Sequence, residues 1–142
     1  MNQELSKFNQ LVKKQGEIYH LWAKKAGLTD TKFWILYELW ISKRPLIQHS
    51  FCEKWCYSKQ TVNTAITSLE EDGMLSLGFA PGSRKQKEVL LTEKGMDFCT
   101  TWMMPLVKAE EEILMTLDQK EREQFLDILK HLILHLSLAL EI

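Results

Sequence analysis

Positive charge is in short supply in this 142-residue chain. Its 18 Lys and Arg stand against 19 Asp and Glu, a formal net charge of −1. Taken alone, that total argues against a strongly basic nucleic-acid binder. Cysteine is scarce too: three residues, an odd number without secretory context, make a disulfide framework improbable. Cys52 and Cys56 stand four apart. On one helix their β-carbons would be ~5–6 Å apart, beyond the ~3.5–4.5 Å a disulfide spans. Reduced, inert thiols in a cytoplasmic protein are the expectation, with Cys56 the first candidate for an oxidant sensor. No apolar run approaches the ~18 residues of a membrane span, and no secretory signal is evident. A Gly-rich phosphate loop, a Ser/His/Asp arrangement and a pocket-like carboxylate cluster are all missing, so neither an enzyme nor a cofactor is expected. The 45% apolar and 26% charged residues instead describe a folded domain, one long enough to bury roughly 70% of its unfolded surface.

The charge is unevenly placed. Residues 1–43 balance to +3, residues 44–95 to +1 and residues 96–142 to −5. Lys54 and Lys59 form one basic cluster and Arg84, Lys85 and Lys87 another, with Glu70, Glu71 and Asp72 between them. Apolar periodicity predicts a first helix over 4–26 through Leu5, Phe8, Val12, Tyr19, Trp22 and Ala26, closed by Gly27. Thr29 or Asp30 starts a second, central helix that stops by Pro45. A short third helix is predicted from about Leu46 to Trp55, followed by a tight Cys56-Tyr57 turn. Ser58 then caps a fourth helix over 59–72, whose inner face is Val62, Ala65, Ile66 and Leu69 and which ends at Gly73.

The period then changes to two. Leu75, Leu77 and Phe79, the polar tip 80–86 and the run Lys87–Leu91 predict a β-hairpin with a long basic tip. A helix over about 93–117 follows, with a kink or break expected at Pro105. Asp118 and Glu121 have capping-box spacing and open a last helix. That helix is apolar enough to need partners on more than one side, which predicts a homodimer. The fold class is therefore mainly α with a small β-hairpin wing: a winged helix-turn-helix with N- and C-terminal dimerisation helices. The helical dimerisation region is assigned to 1–28 and 96–142, and the winged lobe to 29–95.

A short helix, a tight turn, a helix with a polar exposed face and a basic hairpin suit duplex DNA. A helix ~10–12 Å across fits a major groove ~12 Å wide. The candidate reading residues are Ser58, Lys59, Gln60, Thr61, Asn63 and Thr64, a face with no acid before Glu70. Asn and Gln can pair bidentately with adenine, and Thr can touch a thymine methyl. The runs Ser58-Lys59-Gln60-Thr61-Val62-Asn63, Leu69-Glu70-Glu71-Asp72-Gly73-Met74-Leu75 and Leu91-Thr92-Glu93-Lys94-Gly95 resemble the MarR family of bacterial transcriptional regulators. The resemblance covers about 46–95. It implies a homodimer on a pseudo-palindromic operator, repression as the usual outcome, and modulation by a small molecule, metal or oxidant. It also puts Ser58 to Thr64 in the recognition helix, and Arg84, Lys85 and Lys87 in the wing. Two departures stand out: this wing has no Asp beside its Arg, and Cys56-Tyr57 fill a turn where small or Gly-like residues are common.

Three further features carry sharper readings. Tyr19, Trp22, Trp34 and Tyr37, with Glu38 or His20 as a polar handle, are candidates for a pocket that takes a small aromatic effector. Ordinary core and dimer packing is the simpler reading of the same residues. His131 and His135 share a helix face at a metal-ligand spacing, but only two ligands are visible locally. Besides a DNA-binding regulator, the layout suits a winged-helix module that binds protein, or a regulator responsive to metal or redox state.

Overall fold

The computed structural model describes residues 1–142. The chain forms two compact units, Met1–Met104 and Pro105–Ile142. In order, the elements are α1 (Asn2–Lys25), α2 (Asp30–Ser42), β1 (Leu46–Ile47), α3 (Gln48–Trp55), α4 (Lys59–Glu71), β2 (Leu75–Phe79), β3 (Lys87–Leu91), α5 (Glu93–Leu114) and α6 (Gln119–Leu140). This is the expected mainly helical chain with a hairpin wing.

Local chemistry sets the boundaries. The Thr29 side chain accepts from the Lys32 amide and Ser58 Oγ accepts from the Thr61 amide, each satisfying one orphan N–H of a first turn. Asp118 and Glu121 form the reciprocal box, with both bonds at 2.8 Å. Gly27 (φ +76°) and Gly73 (φ +74°) end α1 and α4 in the left-handed region. The next amides reach back to the Ala23 and Leu69 carbonyls at 2.9 Å each, the Schellman pattern.

In the first unit, α2 is central. It buries Phe33, Ile35, Leu36 and Leu39, and also Glu38. The predicted inner face of α4, Val62, Ala65, Ile66 and Leu69, is buried in full. Phe51, Leu75 and Val89 complete the core of the lobe. Phe79, on the inner-period positions of the hairpin, is instead exposed near the wing tip. The second unit holds the end of α5 and all of α6, which has no buried residue.

Three boundaries differ from expectation. Leu46 and Ile47 do not begin a helix. They are extended and pair antiparallel with β3, Leu46 opposite Val89 and Ile47 opposite Glu88, in a sheet of order β1-β3-β2. Pairing satisfies their backbone groups, so the helix starts at Gln48. Pro105 does not break α5, which stays helical to Leu114, because one missing N–H removes a single bond from a 22-residue helix. The helix also ends three residues early: Thr116 turns its hydroxyl onto the Ile113 carbonyl at 2.6 Å.

Candidate nucleic-acid interface

The helix-turn-helix is made by α3, the turn and α4. Cys56 closes α3 at φ +55°, in the left-handed conformation that favours glycine. The turn thus has the geometry of a Gly-like residue although a cysteine fills it. Tyr57 follows, half-buried; burial, and secondarily the charge of Asp30, raise its pKa, partly offset by a hydrogen bond with Thr31.

On α4, Lys59, Gln60, Asn63, Thr64 and Thr67 are exposed beyond the buried face. Ser58 and Thr61 are exposed but mutually engaged: their hydroxyls lie 2.7 Å apart, in addition to the cap bond of 3.1 Å. They build the start of the helix as well as its surface. Asn63 is held as well, with Gln48 Nε2 donating to its Oδ1 at 3.1 Å.

The wing tip is an ordered turn. The Ala80 amide donates to the Gln86 carbonyl at 2.9 Å, and Gly82 takes φ +74°. Ser83 Oγ accepts from the amides of Lys85 and Gln86 at 3.2 and 3.0 Å. No aspartate is present to organise this tip, and Ser83 does so through the backbone. A Pro-Gly-Ser run carries that signal in the sequence.

The two basic segments converge. Lys59 and Asn63 from α4, and Lys85, Gln86 and Lys87 from the wing, line one groove of about 620 Å³ with Ile47, Gln48, His49, Ser50 and Glu53. Its one carboxylate, Glu53, pairs with His49 at 3.3 Å. Lys54, the other member of the first basic cluster, is not in the groove: it pairs with the buried Glu38 and so ties α3 to α2. Nothing local marked Gln48 or the Glu38–Lys54 pair, because both depend on where β1 and α3 come to lie.

The start of α5 clasps the end of α4. Thr92 Oγ1 accepts from the Gly95 amide at 3.0 Å and donates to the Gly73 carbonyl at 2.5 Å. The Thr92 amide donates to the Met74 carbonyl at 3.1 Å, and Lys94 Nζ donates to the Asp72 carbonyl at 2.6 Å. A cation on the terminal carbonyls of α4 also complements the helix dipole.

The aromatic candidates fall into two groups. Tyr19, Trp34 and Tyr37 cluster, with ring centroids 5.0 Å (Tyr19–Trp34) and 5.2 Å (Trp34–Tyr37) apart. Trp55 joins them, stacked on Trp34 at 4.4 Å. Trp22 stands apart: it meets Trp102 at 5.4 Å and donates its indole N–H to the Trp102 carbonyl. Of the polar handles, Glu38 is taken by Lys54, and His20 lies 2.9 Å from Asp30. An apolar cleft of about 360 Å³ lies elsewhere in the lobe, lined by Leu39, Trp40, Pro45, Leu90, Leu91 and Met96 with Lys43 and Arg44. His131 and His135 stack with centroids 4.1 Å apart, and no group of three or more ligating side chains surrounds them. Cys52 is half-buried and Cys56 exposed, while burial pushes the Cys99 thiol up to about 12.

No family model matches the sequence, and no curated protein matches it. Solved structures do. A MarR family regulator from Neisseria meningitidis superposes with a TM-score of 0.82 at 20% identity, over 99% of this chain and 98% of that one. S. aureus MepR in a complex with DNA gives 0.72 at 16% identity, over 91% and 93%. The PcaV transcriptional regulator from Streptomyces coelicolor, in complex with its natural ligand, gives 0.62 at 15% identity, over 88% and 90%. The fold is the one these regulators share. The likeness spans nearly the whole chain, well beyond the residues that carry the resemblance in sequence.

Proposed function

We propose that this protein is a sequence-specific DNA-binding transcriptional regulator that works as a homodimer. The groove between α4 and the wing carries the reading: three lysines and a pre-held asparagine line one surface with a single, paired carboxylate. Residues 29–95 form the DNA-binding lobe. Ser58, Lys59, Gln60, Thr61, Asn63 and Thr64 supply the recognition helix, and Arg84, Lys85 and Lys87 the wing. Lysines hold phosphates while amides reach base edges. Two lobes on a pseudo-palindromic operator place their reading helices about 34 Å apart, and occupancy represses by excluding polymerase.

Residues 1–28 and 96–142 make the dimer. The support is their uncovered apolar surface. Leu5, Phe8, Leu11 and Val12 are exposed on α1, and Phe125, Ile128, Ile133 and Leu136 on α6. Monomers rarely leave that much apolar side chain in water. A small aromatic effector acts by favouring one spacing of the two lobes, which needs unequal affinity for the two arrangements. Trp34 stands in the aromatic cluster and Trp40 in the apolar cleft. Titration of aromatic acids into Trp34→Phe and Trp40→Phe therefore tells which region responds.

Binding to a duplex pool tests the central reading. Affinity falls linearly on a log–log plot against salt, by about 0.9 per phosphate neutralised. Lys59→Glu combined with Arg84→Glu abolishes it. Binding that survives both changes and ignores salt overturns the assignment in favour of a protein-binding winged helix.

A further inference from the structure

We infer that Gln48, at the start of α3, sets the base preference of Asn63 by fixing the direction of its side-chain amide. This rests on the DNA-binding reading above. An unheld asparagine in a major groove presents a donor and an acceptor side by side, which suits adenine: its oxygen accepts from N6–H and its nitrogen donates to N7. Here the oxygen is already engaged. Gln48 Nε2 donates to Asn63 Oδ1 at 3.1 Å. The Nδ2 amino group is left as the part of Asn63 available to a base. An amide held this way is a donor, and guanine, with N7 and O6 acceptors side by side, is the base edge that takes a donor best. Adenine brings an amino donor against an oxygen already in use, and cytosine offers only its N4 donor.

Gln48 is well placed to impose this. β1 pairs with β3 through Leu46 and Ile47, so the residue that follows is pinned beside the wing strand. It opens α3 and lines the same groove as Asn63, Lys59 and Lys87. The glutamine thus joins the reading helix without lying on it. Because it sits at a helix start and is only partly buried, it can be replaced without emptying the core.

The experiment is selection of bound sites from a random duplex pool, run in parallel for the wild-type protein, Asn63→Ala, Gln48→Leu and Gln48→Glu. Circular dichroism verifies that each variant is folded. The wild type is expected to select guanine at one position of each half-site, by roughly tenfold over adenine. Asn63→Ala makes that position indifferent. Gln48→Leu frees Oδ1 and admits adenine there. Gln48→Glu offers only acceptors, so Asn63 turns Nδ2 to it and presents Oδ1, moving the preference to bases with an amino donor. A merely structural role for Gln48 would lower affinity for all sites together and leave the preference where it was. Adenine at the Asn63-dependent position of the wild type overturns the inference while leaving DNA binding intact. So does an unchanged preference in both Gln48 variants, or the absence of any position that responds to Asn63→Ala. Failure of the wild type to enrich any sequence overturns the DNA-binding reading, and this inference with it.

Discussion

Gly95 should be the least replaceable glycine in the chain. A Cβ built there falls 2.1 Å from the Met74 carbonyl oxygen, 3.1 Å from its carbon and 3.2 Å from a Leu91 methyl. The closest of these atoms is backbone, so no side chain can rotate away, and a tolerable contact needs the first turn of α5 to withdraw by about 1 Å. Withdrawal stretches the clasp between α5 and the end of α4: the Thr92 amide to Met74, the Thr92 hydroxyl to Gly73 and the Lys94 ammonium to Asp72. Three such bonds at about 1 kcal/mol each, offset by at most about 1 kcal/mol of helix propensity gained by alanine, leave Gly95→Ala destabilised by about 2 kcal/mol or more. That corresponds to a fall in Tm of at least about 5 °C for a chain of this size. Urea and thermal melts at one fixed protein concentration measure it, since a dimer's Tm depends on concentration. Gly78→Ala is the matched control. It lies in β2 of the same lobe with nothing within 4 Å of its Cβ, so it should be neutral or gain a few tenths of a kcal/mol. If Gly95→Ala melts at or above the wild-type temperature, the close approach is not what this position requires.

Three other outcomes follow from the same geometry. Cys56 holds a left-handed conformation at φ +55°, so Cys56→Gly should raise stability by up to about 1 kcal/mol; a lower urea midpoint would contradict this. Lys54→Met removes the partner of the buried Glu38 and should cost about 1–3 kcal/mol. Glu38→Gln in the same chain should recover much of that loss, and a double-mutant cycle reads the coupling. The third concerns alkaline pH. Cys99 is buried and its thiol is pushed from 9.0 to about 12. Its contribution is complete below pH 9, where both folded and unfolded thiols are protonated. It is lost as pH rises towards 12, because the unfolded thiol ionises first. The loss reaches about 4 kcal/mol at most. Denaturation series between pH 8 and 11 should slope less steeply for Cys99→Val, and parallel slopes would refute the assignment.

What can be read from the sequence is whatever depends on neighbours within one turn of helix or one hairpin. The caps at Thr29, Ser58 and Asp118 and the stops at Gly27 and Gly73 are such features. So are the inner face of α4 and the alternation that marks the wing. Each is written by residues three or four apart, or two apart in a strand, so the fold class and the candidate reading helix were legible there. The charge total was not: a figure of −1 concealed a basic wing and reading helix offset by an acidic C-terminal third.

Tertiary structure decided the rest. Two residues are too few to show a period, so β1 emerged only from its pairing with β3. That pairing delivers Gln48 to Asn63, 15 residues away in sequence. The aromatics of the first two helices form a continuous stripe in sequence, yet packing sends Trp22 to Trp102 and Trp34 to Trp55. Lys54 and Lys59 read alike in sequence, yet only Lys59 reaches the groove, since a buried carboxylate holds the other. Local periodicity determines which face of an element is apolar. Which side chains then meet across elements is set by close packing and by the need to pair every buried polar group, and neither is a local property of the chain.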